Sequence, residues 1–154
     1  MTPKRIAPDD PHLKHVLALL QGAFAFMEGR INPPSSLHRL TIEKLASLAK
    51  NGQLWTIGTP PIATVTLTPK PDCLYLGKLA VAKSARGQGL ARTLVDLARA
   101  EAITAGLPCL RLETRIELVE NHRTFEHLGF VKTGETAHDG FDRPTSITMD
   151  LTLT

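Results

Sequence analysis

A chain of 154 residues with 42% hydrophobic and 21% charged residues can bury a core as one domain over 1–154, and it is too apolar to be disordered. The formal net charge of +3 suits a polyanionic ligand, but only 5% of residues are aromatic and no basic run is interleaved with them, which argues against a nucleic-acid reader. No apolar stretch is long enough to span a bilayer and no leader-like segment opens the chain, so no membrane association and a cytoplasmic location are expected.

In chain order, Lys4–Ala7 predicts a short first strand, and Pro8, Asp9 and Asp10 lead into a helix with Pro11 in its first turn. Leu13, Val16, Leu17, Leu20, Phe24 and Met27 recur at helical spacing and carry that helix to about Glu28. Gly29–Ser36 is a loop, because Pro33 and Pro34 fix φ and remove two donors. Thr41–Lys50 reads as a second helix, capped by Thr41 and ended by Asn51-Gly52. Leu54–Ile57 and Ile62–Leu67 alternate with β-branched residues around a Gly58-Thr59-Pro60-Pro61 turn, and Cys73–Val81 completes an antiparallel meander.

Leu90, Ala91, Leu94, Leu97, Ala98 and Ala102 then mark one face of an amphipathic helix, with Arg92, Asp96 and Arg99 on the other. A strand over Cys109–Thr114 follows, so strand, helix and strand imply a parallel, right-handed crossover. Glu120–Leu128 is a short helix stopped by Gly129. Phe130 and Val131 begin another strand, Thr136–Ser146 is a long loop, and Ile147–Leu153 is the last strand. The fold class is α/β: a mixed, mostly antiparallel sheet of about seven strands with helices on both faces. The only cysteines, Cys73 and Cys109, lie in separate strand-like stretches and read as reduced, small buried hydrophobes, neither a disulfide nor part of a metal site.

The chemistry concentrates in Ser84–Ala91, a glycine-bearing loop between a strand and a helix. Gly87 and Gly89 let a ligand approach the backbone, and the first N–H groups of the helix are unpaired at the positive end of its dipole. That is an anion site for phosphate or pyrophosphate. No Gly-Lys-Ser/Thr follows, so it is not a Walker loop, and the three-glycine dinucleotide pattern is incomplete.

Arg86-x-x-Gly89-x-Ala91 resembles the Arg/Gln-x-x-Gly-x-Gly/Ala signature of the GNAT acyltransferase superfamily, and Asn121 with Leu128-Gly129-Phe130 is similar to that family's later motif. The resemblance implies acetyl-coenzyme A as co-substrate. It implies that Leu79, Ala80 and Val81 line the pantetheine arm on a splayed strand whose N–H reaches the thioester carbonyl. It also implies that Arg86, Gly87, Gln88, Gly89, Leu90, Ala91 and Arg92 take the pyrophosphate, with Asn121 and Phe125 beside the cofactor. Two departures stand out. The family's usual Tyr, which protonates the departing thiolate, is Phe125 here, and the segment from Asn121 to Phe125 is shorter than the pattern.

Acyl transfer to an amine needs a held thioester, a polarised carbonyl and a route for the amine's proton. Neither cysteine has an evident basic partner, so direct attack by the amine is expected. The base candidates are Glu113 and Glu117 near the fifth strand's end, with His38, His122 and His138 in loops; either Glu is equally an edge residue paired with Arg111 or Arg115. The family layout implies an acceptor site by the loop after the first helix, where Glu28, Arg30, Ser35, Ser36, His38 and Arg39 cluster. Arg30 and Arg39 suit a carboxylate and Glu28 an ammonium, as on an amino acid or peptide terminus. The expected reaction is acetyl transfer to a primary amine of a small molecule or peptide. The alternative is a non-catalytic acyl-coenzyme A-binding module, which the missing Tyr permits. Homodimerisation is left open.

Overall fold

The structure is a computed structural model that describes residues 2–27 and 29–153, the side chains of Phe26 and His38 excepted. The strands are β1 (Lys4–Arg5), β2 (Gln53–Ile57), β3 (Ala63–Pro69), β4 (Leu74–Val81), β5 (Cys109–Arg115), β6 (Val131–Thr136) and β7 (Ser146–Thr152). The helices are α1 (Leu13–Phe24), α2 (Ile42–Asn51), α3 (Leu90–Thr104) and α4 (Val119–His127), with single 3₁₀ turns at Ala25–Met27, Ser36–Arg39 and Lys83–Ala85. The strands form one sheet in the order β1-β2-β3-β4-β5-β7-β6, in which only β4 and β5 run parallel.

Alternation in the strands decides which layer each residue feeds. Trp55 and Ile57 on β2 and Val65 and Leu67 on β3 face the layer of α3, which buries Leu90, Leu94, Val95, Ala98 and Ala102 against them. Leu54 faces the opposite layer, where Val16 and Leu20 of α1 meet Leu45 and Ala49 of α2. Fully enclosed leucines such as Leu94 and Leu110 each contribute on the order of 2 kcal/mol through removal from water. Thr41 caps α2 by accepting from Lys44 N at 3.2 Å, as its sequence implies. The first helix begins later than the sequence suggests. The Asp10 carboxylate accepts from His12 N at 2.8 Å, so Pro11 precedes the helix, and a 3₁₀ turn replaces its last residues.

Two features of β4 shape the centre of the molecule. Thr64 pairs with Ala80 and Thr66 with Gly77, so Lys78 and Leu79 both oppose Val65: a β-bulge, with Lys78 at φ 51. Before the bulge, Leu74 and Leu76 belong to the α3 layer; after it Leu79 and Val81 do, while Ala80 packs against α1 and α2. Secondly, β4 and β5 are paired only at Leu74↔Leu110 and Tyr75↔Arg111. Beyond those pairs the strands part, leaving a wedge between them.

At the closed end of that wedge, the structure corrects the reading of the cysteines. Cys73 and Cys109 are joined in a disulfide, with Cα atoms 4.8 Å apart, and neither is a free thiol. The reason is the parallel pairing itself, which sets the residues preceding Leu74 and Leu110 side by side on neighbouring chains. Asp150 comes close to both sulfurs, but its carboxylate accepts from Arg111 Nε at 2.9 Å. Among the described residues, no helix is long and apolar enough to cross a membrane.

Candidate active site

The wedge opens into two cavities. The first, of about 670 Å³, is walled by Leu79, Ala80 and Val81 of β4, by Ala85–Gly87 and Gly89–Ala91 at the start of α3, and by Glu120, Asn121, Thr124 and Phe125 of α4. Ala23 and Phe24 of α1 and Arg30 beyond it close the remaining side. Gly87 (φ 81) and Gly89 (φ 76) hold the left-handed conformation in the turn before α3, and a Cβ on either would meet no atom within 4 Å. Gly89 is the N-cap of α3 and supplies no side-chain cap, and no acidic residue occupies the first turn. The leading N–H groups of that helix therefore lie at the cleft with no side-chain cap among the described residues. An open glycine cradle, a bare helix N-terminus and a long apolar groove fit a pyrophosphate with its attached arm.

The second cavity, of about 320 Å³, lies on the other side of the wedge. Tyr75, Gly77 and Lys78 of β4, Glu113 and Arg115 of β5, Ser35 and Leu37 before α2, and His138 of the β6–β7 loop are among its lining. The two cavities share Phe24, Leu79, Asn121 and Phe125. They therefore meet where the β4 bulge passes the first turns of α4.

Residues 16–130 match the Acetyltransferase (GNAT) family. The chain belongs to the GNAT acetyltransferase family. No curated protein matches it. Among solved structures, an acetyltransferase from Streptococcus agalactiae 2603 superposes with a TM-score of 0.76 at 18% identity, covering 98% of this chain and 97% of that one. The ribosomal-protein-S18-alanine N-acetyltransferase from Escherichia coli gives 0.70 at 21% identity, covering 98% and 92%. A Bacillus anthracis protein classed with the streptothricin acetyltransferases, solved in complex with acetyl coenzyme A, gives 0.60 at 21% identity, covering 67% and 63%. At these identities the likeness is one of fold.

In this acetyltransferase, the cleft at the α3 turn gathers Leu79, Ala80, Val81, Arg86, Gly87, Gly89, Leu90, Ala91, Asn121 and Phe125. Two residues expected with them stand apart. Gln88 is exposed and off the lining, and Arg92 points away to donate from Nη2 to His127 O at 3.4 Å. Phe125 is half-buried and meets Phe130 edge-on at 6.0 Å between ring centroids.

The expected base and acceptor residues separate. Glu113 is exposed on β5 and lines the second cavity. Glu117 lines neither cavity; its Oε2 accepts from Asn32 N at 3.1 Å and its Oε1 is buried without a partner. With Arg115, which donates to the carbonyls of Pro33 (2.7 Å) and Pro34 (3.2 Å), Glu117 pins the proline loop to the end of β5. Burial pushes the Arg115 guanidinium down, with the Glu117 charge acting against that. His122 Nε2 donates to Arg115 O at 2.9 Å, which fixes its tautomer. The ring and backbone of His138 both bond Thr145 Oγ1, closing the β6–β7 loop.

Arg30 lines the first cavity, not the second, and pairs with Glu120 at 2.6 Å. Arg39 lines a smaller recess of about 360 Å³ between α2 and β4. Glu28 and the His38 side chain lie outside the described residues. Sequence reasoning gave no place in the site to two groups of the second cavity. Tyr75 sits beside Glu113, its pKa pushed up to about 12 by burial and then by the Glu113 charge. Lys78 is the other. Its signal was a lysine directly after Gly77 inside a strand, the mark of a bulge.

Proposed function

We propose that this chain transfers an acetyl group from acetyl-coenzyme A, held in the larger cavity, to a primary amine that enters through the smaller one. The observation that carries this reading is the meeting of the two cavities at Leu79, Asn121 and Phe125, on backbone that β5 does not pair. When bound, acetyl-coenzyme A supplies the activated thioester. Gly87, Gly89 and the bare first turn of α3 receive its pyrophosphate, with the Arg86 charge beside them. Unpaired N–H groups of β4 past the bulge are the donors suited to a developing oxyanion.

Glu113 is the proton acceptor this reading assigns. It is the carboxylate among the described lining of the acceptor cavity, and its exposure lets water relay the amine's proton to it. Phe125 has no proton to give and serves as the apolar divider between the cavities. The test is a screen of amine acceptors with acetyl-coenzyme A, read by release of free thiol. Glu113→Gln should lower kcat by about 10²- to 10⁴-fold with coenzyme affinity unchanged. Coenzyme binding without thiol release for any amine would leave a binding module in place of an enzyme.

A further inference from the structure

Lys78 is the one non-glycine residue at positive φ among the described residues, at 51°, and it sits in the bulge that the two cavities flank. That conformation costs a side-chain-bearing residue on the order of 1 kcal/mol, and glycine would avoid the cost. Lys78 lines both the acceptor cavity and the neighbouring recess under α2. The recess holds Arg39 and Lys44 and no carboxylate among its described lining; the acceptor cavity holds one, Glu113. Other cations nearby are engaged: Arg115 with Pro33 and Pro34, Lys44 with Arg39 O at 2.8 Å, and Arg30 with Glu120. Lys78 is half-buried, and its side chain makes no hydrogen bond or ion pair with any described residue. A half-desolvated ammonium without a counter-ion is unfavourable unless an anion arrives from outside.

From this placement, and resting on the acetyl-transfer reading, we propose that Lys78 holds an anionic group of the acceptor, so that the substrate is an amine that also carries a carboxylate. Lys78 leaves the sheet on β4 while Glu113 leaves it on β5, and the two make no ion pair among the described residues, so a zwitterion fits between them. Arg39, exposed in the adjoining recess, reinforces the field. Burial already pushes the Lys78 ammonium below its ordinary range, and an anion would restore it.

The experiment titrates the coenzyme A-saturated protein by calorimetry with free amino acids and dipeptides and with their carboxamides, and assays acetylation of the same set. At least one amine carboxylate should bind at least tenfold tighter than its amide, the order of one charge-assisted hydrogen bond. Lys78→Gln should erase that ratio and Lys78→Arg should keep it. Lys78→Gly, which relieves the positive φ, serves as the variant sure to fold and should also erase it. The proposal is overturned if no acid outbinds its amide, or if the ratio survives Lys78→Gln. Selective binding of acids without acetylation would sink the acetyl-transfer reading while leaving Lys78 as the anion anchor. Equal acetylation of acids and amides would sink the Lys78 proposal alone.

Discussion

Arg30 and Glu120 meet at 2.6 Å along the cofactor cleft, tying the segment after α1 to the first turn of α4. The Glu120 carboxyl is held below the usual carboxylate range, chiefly by its own backbone N–H at the start of α4 and then by Arg30. Both side chains are about half exposed, at 43% and 52%, so the pair contributes little to the fold. Its effect should be on entry of a polyanion. Glu120→Gln removes a repulsive charge and should strengthen coenzyme A binding a few-fold, whereas Arg30→Gln should weaken it. Both effects should fade with added salt. Stopped-flow binding measures them, and movement of both variants in the same direction would contradict this account.

The chain has a single tyrosine, so phenolate absorbance reports Tyr75 alone. In the folded protein it should ionise near 12, and in denaturant near 10.0. Because the folded value lies above the unfolded one, the associated stability is whole below pH 10.0 and is lost as pH rises toward 12. Tyr75→Phe should flatten that part of the stability profile. Ionisation of the native protein near 10.0 would place Tyr75 in water.

Two glycine-to-alanine changes should have opposite signs. Gly89 at φ 76 has open space around a Cβ, so Gly89→Ala fails only on backbone conformation and should cost about 1 kcal/mol. Gly22 lies inside α1 with nothing within 4 Å, so Gly22→Ala should gain about 0.5–1 kcal/mol. Urea denaturation of both gives the answer. Gly89→Trp should in addition abolish coenzyme A binding in a folded protein.

A thiol-reactive dye should find no thiol in the denatured, unreduced protein and two after treatment with a dithiol reductant. The bridge closes a sequence separation of 36, for which chain entropy gives about 4 kcal/mol. Reduction should lower the denaturation midpoint accordingly. Two reactive thiols before reduction would mean that Cys73 and Cys109 are free after all.

The elements were legible because their apolar periodicity is local: Leu90, Leu94, Ala98 and Ala102 mark α3 without reference to any other segment. The cofactor loop was legible for the same reason, being one contiguous turn. What stayed hidden depends on which segments become neighbours. Cys73 and Cys109 meet because β4 and β5 pair at Leu74↔Leu110 and nowhere further along than Tyr75↔Arg111. Arg30 turns to the cofactor side because Arg115 and Glu117 hold the proline loop from 81 to 85 residues away. Lys78 was overlooked because a lysine is not the residue expected at positive φ.

The bulge at Lys78 and Leu79 also acts on β4 as a shift of reading frame. The strand has two registers of inside and outside, one ending at Leu76 and one beginning at Leu79, joined by a single supernumerary residue. Unbroken alternation of the same residues would turn Leu79 and Val81 out of the α3 layer, whereas deleting Lys78 would leave a regular ladder with Leu79 opposite Val65, Leu79 and Val81 still in that layer and Ala80 on the other face. The core would accept the shorter strand, so the supernumerary residue answers no need of the packing and belongs to the side where the cavities lie.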